Sequence, residues 1–177
     1  MNSLIQTITV YALPVLFGIT LHEAAHGYVA RMFGDPTAYL AGRISLNPIR
    51  HIDPMGTVVV PLVLLFSTTL LGGGGLLFGW AKPVPVNKYR LRNPRYGMMA
   101  VAAAGPATNL VLAAIGAVLL GLLARHYTGV EGFSGLARFA AQNLINFLQI
   151  NICLALFYLL PIPPFDGSHI VEGLLPR

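Results

Sequence analysis

The sequence predicts an α-helical polytopic membrane protein, folded as a single membrane-embedded domain over residues 1–177. Three observations carry that prediction. Hydrophobic residues make up 55% of the chain and charged residues only 10%, against about 25% charged in an ordinary soluble domain. The apolar residues fall into four long blocks, roughly 4–33, 55–80, 97–124 and 139–162, each long enough to cross or deeply enter a bilayer, which takes about 20 residues. The basic residues, which give a net charge of +5, cluster in the loops between the blocks. That distribution belongs to membrane topology and makes the lipid bilayer the expected surroundings; it gives no case for a nucleic-acid partner.

The first block ends at Gly34-Asp35-Pro36, a helix stop. Residues 38–53, "AYLAGRISLNPIRHID", are too polar to span and read as short strands and turns, punctuated by Asn47-Pro48 and Asp53-Pro54. The second block holds Pro61 and the four glycines Gly72–Gly75. A straight helix is not expected throughout it, and a re-entrant hairpin turning at the glycines is the favoured form; such backbone is tolerated at membrane depth only inside protein or beside a water-filled cavity. In "AKPVPVNKYRLRNPR" the alternating Pro83 and Pro85 remove the amide donors from one edge of any strand, so that strand pairs on one side only. Residues 125–138 form a glycine-containing loop between the last two blocks. No cleaved signal peptide is expected at residues 1–14. The single cysteine, Cys153, excludes an internal disulfide and reads as a buried small hydrophobe.

With 55–80 re-entrant, Arg31, Arg43, Arg50, Lys82, Lys88, Arg90, Arg92, Arg95 and Arg177 share one face of the membrane, leaving Arg125 and Arg138 opposite. The positive-inside rule makes the basic face cytoplasmic. The expectation is therefore three spanning helices plus a re-entrant element, with the N-terminus outside.

Inside the first block lies "GITLHEAAHGYVARMFG". Ionisable groups are expensive in lipid, so such a cluster marks a functional site. His22 and His26 are four residues apart and share one face of a helix, with Glu23 between them in the H-E-x-x-H pattern. Two imidazoles at this spacing suit one zinc ion, with the glutamate near its open position, and a third ligand is required. Of the six acidic residues, Asp35 and Asp53 stand beside turn prolines, Glu131 lies in the glycine-containing loop, and Asp166 closes "LLPIPPFDG" directly after the last apolar block. Pro161, Pro163 and Pro164 restrict that stretch to an extended chain able to return one carboxylate to the interior. Asp166 is the expected third ligand. His169, three residues later, reads as a weaker candidate, while His51 and His126 read as solvated loop residues.

The segments "HEAAH", "GRISLNPIRHIDPMGT", "FGWAKPVPVN", "AAAGPATN" and "LLPIPPFDG" together resemble the site-2 protease family of intramembrane zinc metalloproteases, in its short bacterial branch without PDZ or CBS domains. The resemblance covers about residues 15–175. It implies a three-helix catalytic core in a bacterial cytoplasmic membrane, Zn2+ held by His22, His26 and Asp166, and Glu23 as general base. It also implies short membrane-embedded strands that hold a transmembrane protein substrate as an extended chain, which brings Val84 and Val86 in as substrate-binding residues. Asn109 matches a family asparagine and is expected to supply a polar contact. Tyr158 is a departure, because the family pattern has asparagine there, a residue associated with substrate positioning or oxyanion stabilisation. Relatives also often continue beyond the position of Arg177. The sequence names neither the substrate nor the oligomeric state.

Three rival classes fit the sequence less well. A catalytically impaired relative that binds membrane partners fits Tyr158 but not Glu23. A zinc transporter would show an inverted repeat or a second polar cluster along a path, and neither is found. A membrane scaffold would not need both metal motifs.

Overall fold

The computed structural model describes residues 2–60, 63, 81–127 and 135–176. Five α-helices are seen there: α1 (Asn2–Met32), α2 (Thr37–Leu40), α3 (Pro94–Arg125), α4 (Gly135–Tyr158) and α5 (Asp166–Leu174). Short 3-10 turns at Pro48–His51 and Lys88–Arg90 and a π-helical stretch at Pro54–Val59 lie between α2 and α3. The long helices α1, α3 and α4 pack against one another, and α5 packs on α3.

Helices α3 and α4 are long and apolar enough to cross a membrane. Their outer faces agree with that surrounding. Leu110, Val111, Ile115, Val118, Leu119 and Leu122 of α3 are all exposed, which costs about 25 cal/mol per Å² against water and nothing comparable against hydrocarbon. Their ends follow from the local sequence. Pro94 opens α3, with the Asn93 side chain accepting the Tyr96 amide, a favoured pairing of cap and first residue.

Two prolines lie inside these helices. Pro14 in α1 lacks the amide that would bond the Val10 carbonyl four residues back. Asn146 of α4 supplies the missing donor, its Nδ2 lying 3.2 Å from that oxygen. The polar residue in the apolar helix is thus matched to the gap made by the proline. Pro106 lies in α3, beside the site described below.

The strands expected within 38–53 and around Pro83 and Pro85 are absent; among the described residues there is no strand. Side chains, and one isolated backbone carbonyl, have taken the donors and acceptors that a ladder would use. The Lys82 amide donates to the His51 carbonyl at 3.0 Å, the Val84 amide to Glu23 and the Asn87 amide to Asp35. The guanidinium of Arg43 donates to the carbonyls of Arg50 and Lys82, and Arg50 Nη1 donates back to Gly42 O at 2.9 Å. Arg43 and the Lys82 amide therefore join the two loops, while the carboxylates of Glu23 and Asp35 tie the second loop to α1 and the turn after it.

Three further expectations are corrected. His51 is buried, 2% exposed, with Nε2 bonded to the Ser45 carbonyl at 2.8 Å; its backbone turns it under the loop instead of into solvent. Cys153 is exposed on α4, because its side of that helix faces outwards. The proline stretch 161–164 is bent, not extended, with the Phe165 amide returning to the Ile162 carbonyl at 3.0 Å. Most of the 55–80 block, including Gly72–Gly75 and hence the re-entrant turn, lies outside the described residues, as do Glu131 and Arg177.

Candidate metal centre

Helix α1 presents His22, Glu23 and His26 on consecutive turns, and all three are buried. Each imidazole is held at Nδ1 by α3. His22 Nδ1 lies 2.9 Å from Asn109 Oδ1, and His26 Nδ1 lies 2.7 Å from the Val101 carbonyl. Both partners are oxygen acceptors, so each Nδ1 carries the proton and each Nε2 presents its lone pair. Pro106 supplies no amide to the Ala102 carbonyl, so the helix lacks a hydrogen bond next to the carbonyl that takes His26.

The approach of α3 depends on Gly105. A Cβ there would stand 2.5 Å from His22 Cε1 and 2.6 Å from His26 Cε1, inside any permitted contact.

Asp166 begins α5, whose N-terminus is brought back to α1 by the turn after α4. Gly167 fixes that return, since a Cβ on it would lie 2.2 Å from the Leu159 carbonyl oxygen. Asp166 Oδ2 lies 3.2 Å from His22 Nε2 and 3.4 Å from His26 Nε2. One ligand atom from each of His22, His26 and Asp166 falls within 4.8 Å of the others. Despite the short approach, the angles do not make a hydrogen bond: His22 Nε2 and Asp166 Oδ2 are both buried without a hydrogen-bond partner.

Zinc fits this arrangement. Ligand bonds of about 2.0–2.2 Å in a tetrahedron set ligand atoms about 3.3–3.6 Å apart, close to the two separations above. Two buried, unsatisfied, electron-rich atoms facing each other are otherwise costly. Two imidazoles and one carboxylate also form a known donor set that leaves a fourth position open.

Glu23 does not join the ligand atoms. Its Oε2 accepts the Val84 amide at 2.9 Å. Tyr158, at the end of α4, stacks obliquely on His22 with ring centroids 4.3 Å apart. Asn109 is fully buried, so it serves the imidazole directly. Val86 packs towards the small core of Ala30, Leu91 and Val101. His169 turns away from the cluster, with Nδ1 3.4 Å from Glu172 Oε2. Sequence reasoning missed the Val101 carbonyl and Gly105. The glycine before Pro106 was a signal for close helix approach; the carbonyl carries no sequence signal at all.

Asp35, in the turn after α1, takes a second amide from the segment that reaches Glu23. It is fully buried. Burial acts to raise its pKa, but donors from the Thr37 hydroxyl and amide and the Asn87 amide, with the charge of Arg90 nearby, outweigh that effect and hold the carboxyl below its ordinary value.

No family model and no solved structure matches the chain. Curated proteins do match, and they carry the description "Putative zinc metalloprotease". The chain is 43% identical to YwhC of Bacillus subtilis, over 92% of this chain and 67% of that protein. It is 32% identical to Rip2 of Mycolicibacterium smegmatis, over 89% of this chain and 54% of that protein. It is 28% identical to MJ0611 of Methanocaldococcus jannaschii, over 88% of this chain and 65% of that protein. The chain thus spans about two thirds of the first relative and about half of the second. With this identity over nearly its whole length, and with the H-E-x-x-H helix facing Asp166, the chain belongs to the site-2 protease-like family of zinc metalloproteases.

Proposed function

We propose that the chain is an intramembrane zinc metallopeptidase that hydrolyses peptide bonds within or near transmembrane segments of substrate proteins. The observation that carries this reading is the convergence of His22 Nε2, His26 Nε2 and Asp166 Oδ2 within 4.8 Å, beside Glu23 and among helices apolar enough to span a bilayer.

In this reading His22, His26 and Asp166 hold the metal, and Zn2+ is supported by the names of the relatives. The ion supplies Lewis acidity, which polarises a scissile carbonyl and brings the ionisation of water towards neutral pH. The remaining chemistry belongs to the chain. Asn109 and the Val101 carbonyl hold both imidazoles in the tautomer that offers Nε2. Glu23 accepts a proton from the attacking water at Oε1, its other oxygen being engaged by Val84, and returns it to the leaving amine. The Tyr158 ring covers His22 and excludes solvent from that side of the site.

The test uses zinc-loaded protein in detergent with a single-pass membrane substrate. Cleavage abolished by a chelator and restored by zinc is the expected result. Zinc-independent cleavage, or none by fully loaded protein, removes the reading. The second outcome would favour the impaired, partner-binding relative, for which the ring of Tyr158 against His22 is the relevant observation.

The membrane orientation follows the basic loops, placed on the cytoplasmic side. Ser45→Cys and Asn87→Cys, each in a Cys153→Ala background, are both expected to resist an impermeant thiol reagent in intact cells. Labelling of only one would mean that the chain crosses the membrane between them.

A further inference from the structure

Glu23, the base of the proposed chemistry, meets a main-chain donor at one of its two oxygens. The Val84 amide donates to Glu23 Oε2 through a buried bond of 2.9 Å between residues 61 apart in sequence. Two independent features keep Val84 there. Its side chain is buried and lies against Gly27, on which a Cβ would stand 3.2 Å from Val84 Cγ1. Gly27 follows Glu23 by four residues and so shares its face of α1. The segment is also tied on both sides of Val84, by Lys82 N–H to the His51 carbonyl at 3.0 Å and by Asn87 N–H to Asp35 Oδ2 at 2.6 Å.

Pro83 and Pro85 carry no amide. Val84 is therefore the only donor in the three residues that pass the carboxylate, and nothing adjacent competes for it. A glutamate side chain is otherwise free to change rotamer, and a hydrogen bond from fixed main chain to a charged oxygen is among the strong ones. From these contacts we infer that Val84 is the positioning residue of Glu23. Its N–H fixes Oε2 so that Oε1 is presented to the site, and the proline-flanked segment contributes to turnover through the base, not by pairing with substrate. This inference rests on the peptidase reading, and its test separates the two.

Val84 is replaced during translation by its α-hydroxy acid analogue, which exchanges the N–H for an ester oxygen and keeps the isopropyl group. For zinc-loaded protein, kcat is expected to fall about 10- to 100-fold, with KM within about twofold and bound zinc unchanged. Val84→Ala retains the N–H and both flanking ties but loses the packing on Gly27, and is expected to lose less kcat than the ester. A raised KM with unchanged kcat overturns the inference and returns the segment to substrate binding.

Hydrogen exchange on zinc-free protein needs no activity. Glu23→Ala is expected to accelerate exchange of the Val84 amide about tenfold or more while leaving that of Asn87 alone. Unchanged Val84 exchange overturns the contact itself, including where the ester variant fails to fold. If the wild type cleaves nothing, the peptidase reading fails, and the exchange result still decides whether Val84 holds Glu23.

Discussion

Two aspartates, Asp35 in the turn after α1 and Asp166 at the start of α5, are treated in opposite ways. Asp35 is fully buried and saturated: Oδ1 accepts the Thr37 amide at 3.0 Å and the Thr37 hydroxyl, and Oδ2 accepts the Asn87 amide at 2.6 Å. Asp166 Oδ2 is buried between two imidazoles and has no hydrogen-bond partner. Burying a carboxylate is costly in both places. At Asp35 the chain offsets the cost with its own donors, and the result is a joint between the end of α1 and the 81–87 segment. At Asp166 the chain brings acceptors instead of donors, an arrangement that a bound cation relieves. The contrast separates a carboxylate that builds the scaffold from one that serves the site.

Substitutions can break or sharpen that contrast. The largest effect is expected from Asp166→Ala, which should reduce bound zinc from one equivalent to a small fraction and abolish cleavage, while Asp35→Asn should retain its zinc. Equal metal content in wild type and Asp166→Ala, measured by elemental analysis, would collapse the distinction.

Gly105→Ala should approach the same loss without touching a ligand, since its Cβ would lie within 2.6 Å of both imidazoles. Full zinc occupancy in this variant would show that α3 has room to retreat.

Glu23→Gln should keep zinc and lose roughly 10²- to 10⁴-fold in kcat, the usual contribution of a general base. Near-normal cleavage would remove Glu23 from that role. Asn109→Ala should weaken zinc affinity by about 10- to 100-fold, as loss of a partner to a metal-binding histidine generally does; competition with a chromophoric chelator measures it.

The smallest effect is expected from Asp35→Asn, about 2 kcal/mol of stability for a charged hydrogen-bond acceptor. Its pH dependence has a defined sign. The folded pKa of Asp35 is depressed, so the stabilisation is fully present above the unfolded value of about 3.9 and is lost as pH falls through the folded pKa. Denaturation of wild type and variant should therefore differ at neutral pH and converge in strong acid. A gap that persists at low pH would mean that packing, not charge, accounts for the difference.

Much of this site was legible in the sequence because its logic is local. The four-residue spacing of His22 and His26 places them on one helix face whatever surrounds the helix. Apolar length announced the helices now seen at Pro94–Arg125 and Gly135–Tyr158. Elimination among six acidic residues singled out Asp166, whose Oδ2 the fold brings within 3.4 Å of both imidazoles, although the proline stretch delivers it by a bend and not by an extended chain.

The rest was decided only in three dimensions. Periodicity at Pro83 and Pro85 signalled a one-sided strand, yet on the remaining edge the Val84 amide went to Glu23 and the Lys82 amide to the His51 carbonyl. Asn109 reads from sequence as a polar contact for substrate, yet it bonds His22 across 87 residues. The Val101 carbonyl that holds His26 spans 75. Local geometry determines which side chains share a helix face, but it carries no information about which distant donor or acceptor will meet them. That choice belongs to helix packing, where the absence of a side chain at Gly105 and of an amide at Pro106 lets α3 come close enough to align both imidazoles.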